Sequence, residues 1–320
     1  MGSWLLRNIL QRLLLLVLIS FVALAVVYLA PGEPSAVDPS NPRLKAEDVE
    51  KIRAAFHLDE PIYRQYGFWL RDLFTGELRS FKDNQPVLPK IWQRFLNSLP
   101  LFLVATVIVW TISFPTGIHN ALRRGGVSDR TSTALAYILI SVPGFFLAYL
   151  MLLWLSKEIG VPVVGRETFG LENASTWTRW MDRIWHVTVP AILSALVGVA
   201  LLSRYVRAEM VETVRSDFVR TARAKGLPES MVIYRHALRN ALLPFVTMFG
   251  LMIPGLIGGS VIIEQIFAWP GIGRLGYDAI LSRDFPVIIT LNFFAACLTL
   301  IGTFISDLAY AWVDPRVRLE

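Results

Sequence analysis

The chain of 320 residues has a single cysteine, Cys297, so it forms no intrachain disulfide and contains no paired-cysteine metal motif. Charge is scarce too: 18% of residues are Asp, Glu, Lys or Arg, against roughly 25% in a soluble globular domain. The bases outnumber the acids, 31 to 25, but they are not gathered into the aromatic-interleaved patches by which proteins hold nucleic acid. No GxxxxGK[ST] run is present, which excludes ATP binding by a P-loop, and neither HExxH nor a GxSxG elbow occurs. The sequence therefore offers no catalytic group, no metal ligand set and no cofactor site of its own.

Apolar residues are abundant, at 54%. A helix needs roughly 18 or more nearly uncharged residues to cross a bilayer, and six stretches qualify: Leu13–Ala30, Phe95–Leu122, Thr131–Ser156, Ile184–Ser203, Asn240–Ile263 and Phe285–Ser306. None alternates as a barrel strand would, so an all-α membrane protein of six spans is expected. The fourth is the weakest, interrupted by His186, Pro190 and Gly198. Cleavage of the first as a signal peptide is disfavoured, because Leu13–Ala30 is long for an h-region and Pro31-Gly32-Glu33 is a poor cleavage site.

Basic residues give the direction. With the N-terminus inside, the inner segments hold Arg7 and Arg12, Arg123, Arg124 and Arg130, the bases from Arg204 to Arg239, and Arg316 and Arg318. The short outer loops hold only Lys157, Arg166, Arg179, Arg183, Arg274 and Arg283. Both termini are thus expected in the cytoplasm. The chain divides into 1–30, with the first span; an outer insert, 31–94; and a core of five spans, 95–320, which includes an inner segment, 204–240.

The outer insert predicts three helices. Glu47–Phe56 places acids first and bases later; Ile62, Tyr66, Trp69, Leu70, Leu73 and Phe74 follow Pro61 and stop at Gly76; and Lys90–Leu99 leads into the second span. Either a cap packed on the membrane or a docking surface for an external partner would fit. Gly271-Ile272-Gly273-Arg274-Leu275-Gly276 has the spacing of a dinucleotide-binding turn, but it follows a membrane helix and Trp269-Pro270 rather than a strand. A tight surface or re-entrant loop is expected there instead.

The inner segment is the most unusual. Helix formers run from Tyr205 to Lys225, Gly226-Leu227-Pro228 forces a break, and helical sequence resumes to Asn240. Ala222, Ala224 and Gly226 are small enough for a close approach; Phe218, Val219 and Leu227 supply apolar knobs; Asp217, Arg215, Arg220, Arg223 and Lys225 ring them. That composition suits a protein docking site, and equally a basic loop attracted to anionic headgroups of membrane lipid.

Asp217-Phe218-Val219-Arg220-Thr221-Ala222-Arg223-Ala224-Lys225-Gly226-Leu227, followed by His236–Pro244, resembles the EAA loop of bacterial ABC-importer permeases, and more narrowly the dipeptide/oligopeptide/nickel permease family. Leu29-Ala30-Pro31-Gly32, Ile263–Gly273, Arg283-Asp284-Phe285-Pro286 and Asp314-Pro315-Arg316 agree with it, so the likeness spans the chain. Asp217 stands where the motif's name has Glu. The resemblance implies a type I ABC-importer fold in the bacterial inner membrane, paired with a second homologous permease. It also implies two cytoplasmic ATPases, where ATP and Mg would bind, and an external substrate-binding protein. By the same resemblance Asp217–Leu227 is the coupling helix; Ala222, Gly226 and Leu227 are assigned to the contact, Asp217, Arg220 and Arg223 to its polar rim, and Phe218 is counted with them as an apolar knob of the coupling surface. Peptides are the expected cargo, with nickel chelates or oligosaccharides as the alternative. A secondary transporter acting alone is disfavoured by spans almost free of charge.

Overall fold

Proline and serine set many of the helix boundaries. The computed structural model describes residues 2–30, 50, 53, 57–160, 162–252, 255 and 261–313. The expected helix over Glu47–Phe56, apart from Glu50 and Arg53, lies outside the described residues, as do Pro254, Gly258, Gly259 and Asp314-Pro315-Arg316. Helix α1 is Gly2–Leu29, α2 Ile62–Thr75, α3 Val87–Leu122, α4 Val127–Ser141 and α5 Gly144–Trp154, extended by a π-helical turn at Leu155–Ile159. Then come α6 (Thr176–Val214), α7 (Asp217–Ala224), α8 (a π-helical Met231–Ala237 running into Leu238–Ala241), α9 (Leu243–Met252), α10 (Val261–Ile266), α11 (Ile272–Leu281) and α12 (Phe285–Val313). No strand is named among the described residues.

Two of the expected spans differ from the structure. α1, α3, α6 and α12 are long and apolar enough to cross a membrane as single helices, but the third span, Thr131–Ser156, is broken into α4 and α5 at an angle of 93°. The cause is Pro143: it lacks an N–H, and it holds Val142 in extended backbone (φ −87°, ψ 124°). The fifth, Asn240–Ile263, is represented by the end of α8, by α9 and by α10, with 253, 254 and 256–260 outside the described residues. The expected third helix of the insert starts at Val87 rather than Lys90, with Pro89 tolerated in its first turn, and it continues without a break through the expected boundary at 94/95.

Contacts show which ends lie together. α3 and α6 run parallel: Val109 lies against Gly198, and Gly117 against Ser203 and Val206. A Cβ on Gly117 would sit 2.7 Å from the Ser203 carbonyl, so the helices cross where a side chain is absent. α1 and α12 are antiparallel. Arg12 donates to Asp307 at 2.7 Å and to the Leu300 carbonyl at 2.8 Å, while Leu24 packs with Phe285 and Ile289 at the opposite end. One face therefore gathers the start of α1, the α3–α4 turn, α7 and the end of α12. The other gathers α2, the start of α3, the loop residues 162–175 and the start of α12.

α2 forms as its pattern predicts, capped by Gly76 at φ +77°. Its apolar face is spent internally: Trp69 and Leu73 are buried against Leu24, Phe285 and Ile289, and the Trp69 indole donates to Thr290 Oγ1 at 3.3 Å. Behind it, Asp284 is buried at the start of α12. It accepts from the Phe81 N–H at 3.0 Å and from the Ser80 hydroxyl, tying the loop before α3 to that helix.

Candidate functional site

The helix α6 carries the inner segment. The run of helix formers predicts continuity from Tyr205 to Lys225, but the helix stops at Val214, because Ser216 adopts extended backbone (φ −68°, ψ 155°) while its hydroxyl donates to the Thr213 carbonyl at 2.6 Å. α7 starts again at Asp217.

Only one edge of α7 is buried. Val219 and Ala222, three residues apart and thus on one face, pack into the chain's own cluster with Val206, Met210, Val232, Ile233 and Ala237. Ala222, expected at a partner contact, is 7% exposed and belongs to this internal core. Small size matters there because it lets α7 lie close on α6 and α8. Leu227 is half-buried against the same cluster. Phe218, at 44% exposure, flanks this buried face on one side and exposed Arg223 on the other, while exposed Arg220 lies on the far side of the helix. Asp217 is exposed and paired with Arg220.

Gly226 ends the helix at φ +73°, its N–H donating to the Arg223 carbonyl at 2.9 Å, and a Cβ there would meet nothing within 4 Å. Its glycine is needed for the left-handed backbone as well as for any approach from outside. Arg223 then clamps the turn, donating from Nε to Glu229 at 3.1 Å and from Nη2 at 2.7 Å. These hydrogen bonds hold the Glu229 carboxyl below the usual carboxylate range. Gly226→Ala is expected to lower stability by about 1 kcal/mol through backbone strain alone, with Gly226→Asn milder. Thermal unfolding in detergent checks the order.

A second feature at the same end escaped sequence reasoning. Asp129 at the start of α4 is 4% exposed and accepts from Arg207 on α6 at 2.5 and 2.7 Å and from the Gly125 N–H at 2.8 Å. The only sequence signal was an acid placed in the first turn before an apolar run.

At the opposite face the glycine-rich run folds as an elbow, α10 into α11. Glu264 is fully buried and accepts from the Ser98 hydroxyl at 2.6 Å and from the Arg274 N–H at 2.8 Å, while Ser98 Oγ accepts from the Ile272 N–H at 2.8 Å. The first N–H groups of α11 are thus satisfied from α3 and α10. Glycines are required for proximity: a Cβ on Gly273 would be 2.9 Å from Val261 Cα, and one on Gly271 would lie inside the Glu264 carboxyl group. Beside them, the Trp269 indole donates to the Asn97 carbonyl at 2.9 Å, and the Asn97 amide to the Pro270 carbonyl at 2.9 Å.

Residues 113–319 match the family described as "Binding-protein-dependent transport system inner membrane component", and residues 1–102 match its N-terminal companion. The chain belongs to this family. Among its relatives, the oligopeptide transport system permease protein AppB of Bacillus subtilis is 37% identical, the match covering 99% of this chain and 100% of that one. The dipeptide transport system permease protein DppB of Lactococcus lactis is 35% identical, with 98% and 99% covered. The glutathione transport system permease protein GsiC of Escherichia coli is 32% identical over the full length of both. In fold, the family member resembles a chain of the inward-facing MetNI methionine ABC transporter, with a TM-score of 0.56 at 18% identity, covering 72% of this chain and 99% of that one. That likeness agrees with the helical permease architecture expected from the sequence.

Proposed function

We propose that this chain is the membrane subunit of an ATP-driven importer of di- or oligopeptides. It forms half of a pathway completed by a second related permease. Two cytoplasmic ATPases engage α7, a substrate-binding protein delivers cargo to the opposite face, and both termini lie in the cytoplasm. The importer role and the peptide cargo follow the full-length relatives named for oligopeptide and dipeptide transport.

One observation carries the coupling assignment: α7 has a single buried face, packed with α6 and α8, while the rest of its surface, Phe218 at the flank included, is exposed. A displacement applied to the exposed side reaches α6 and α8 directly, because Val219 and Ala222 pack into the cluster those helices share. The contact is assigned to Phe218, Gly226 and Leu227, with Asp217, Arg220 and Arg223 as its polar rim, and Ala222 as the internal seat.

The test is Phe218→Asp in the assembled complex, reconstituted in vesicles with its ATPases and binding protein. ATP-dependent peptide uptake is expected to fall at least about tenfold, with loss of ATPase copurification and an unchanged unfolding temperature. Normal association and uptake would remove α7 from the coupling role.

A further inference from the structure

At the outer ends of α3 and α6, beside the α10–α11 elbow, lies a cavity of about 400 Å³ walled by Asn97, Arg166, Trp180, Arg183, Thr188 and Trp269. It combines an apolar aromatic wall with two guanidinium groups, the composition of a small-molecule site. Arg183 is engaged, donating to Glu167 at 2.9 Å. Arg166 has no carboxylate within 4.0 Å among the described residues, its charge reaching Glu167 only at longer range, and its hydrogen bond goes from Nη1 to Asn97 Oδ1 at 2.7 Å.

The placement of Arg166 is enforced. The N–H of the preceding Gly165 donates to the Phe267 carbonyl at 2.7 Å, fastening the loop to the elbow. Buried Asn97 has its amide nitrogen committed to Pro270, so its oxygen is oriented for the guanidinium. Four of the five N–H donors of an arginine remain available after that bond, in a planar fork matched to a carboxylate. A positive site repels an ammonium and leaves a neutral amide with only part of the interaction.

We propose that this cavity receives the free α-carboxylate of a peptide as it is handed from the external binding protein, with Arg166 as the carboxylate anchor and Asn97 as its positioning residue. The inference rests on the peptide-importer reading above, and on this face being the outer one.

The assembled complex in vesicles, with its ATPases and binding protein, is given a mixture of tri- to pentapeptides as free acids or as C-terminal amides. Imported species are counted by mass spectrometry. Arg166→Gln can keep a hydrogen bond to Asn97 and is expected to lower the acid-to-amide import ratio about tenfold, with ATPase copurification unchanged. Arg166→Lys retains part of the preference, and Arg64→Gln, on α2 and paired with Glu60 away from the cavity, leaves the ratio as in the wild type. The same binding protein in every arm makes its own selectivity cancel. An unchanged ratio in Arg166→Gln relative to the wild type overturns the carboxylate site while ATP-driven peptide import stands. No ATP-driven peptide import by the wild type overturns the importer reading and this inference with it.

Discussion

Gly271→Ala is expected to be among the most damaging single-atom additions to this chain, lowering stability by about 3 to 4 kcal/mol. A Cβ there would fall 2.3 Å from Glu264 Cδ and 2.4 Å from Ser98 Oγ, so the buried carboxyl and the hydroxyl must both move. Moving them breaks the bonds to the Ile272 and Arg274 N–H groups, the first of which is buried away from water. Three elements then lose their common junction: α3 through Ser98, α10 through Glu264 and α11 through its first turn. Glu264→Gln has the same shape and is expected to cost about 1 kcal/mol, since one amide oxygen can still accept while the Ser98 hydroxyl loses its acceptor. Glu264→Ala should lie between Gln and Gly271→Ala. Unfolding temperatures of the purified chain and its accumulation in membranes measure the series. A Gly271→Ala protein as stable as the wild type would mean that the elbow is not packed around Glu264.

Much of this architecture is legible in composition because lipid imposes a simple rule: a helix in the bilayer core must be long and nearly uncharged. Hence α1, α3, α6 and α12 coincide with expected spans. The 93° bend at Pro143 was less visible. Proline in a membrane helix can be straight or kinked according to its neighbours, as Pro100, Pro115 and Pro190 remain inside continuous helices. The stop at Val214 depended on Ser216 using its side chain on the backbone, a local choice that propensity sums do not resolve.

Within the inner segment, the residue types marked α7 as a docking candidate, but not which side of it faced inward. Val219 and Ala222 occupy one edge only because α6 and α8 approach there, a fact of tertiary packing. Buried acids were the least legible of all. Asp129, Glu264 and Asp284 look in sequence like ordinary loop or helix-end carboxylates, and their burial depends on donors 78, 166 and 204 residues away in the chain.

Asp129→Asn is expected to separate the α3–α4 turn from α6, lowering stability by about 2 to 3 kcal/mol. The carboxylate takes both arms of the Arg207 fork, and an amide can accept only one of them while presenting a second set of donors to the guanidinium. Arg207 keeps some access to water, with 29% of its side chain exposed, so the cost stays below that of a wholly buried pair. Arg207→Lys preserves charge without the fork and should cost about 1 kcal/mol. Asp129→Ala with Arg207→Ala should be less damaging than the two single changes added together, since neither partner is left stranded. The consequence extends beyond stability. Arg207 stands seven residues before the end of α6, so the Asp129 bond braces the lever to which α7 is attached. Uptake per ATP hydrolysed by the assembled complex is therefore expected to fall in Asp129→Asn even when binding of the ATPases persists. Unchanged thermal stability together with unchanged coupling would show that the pair braces nothing.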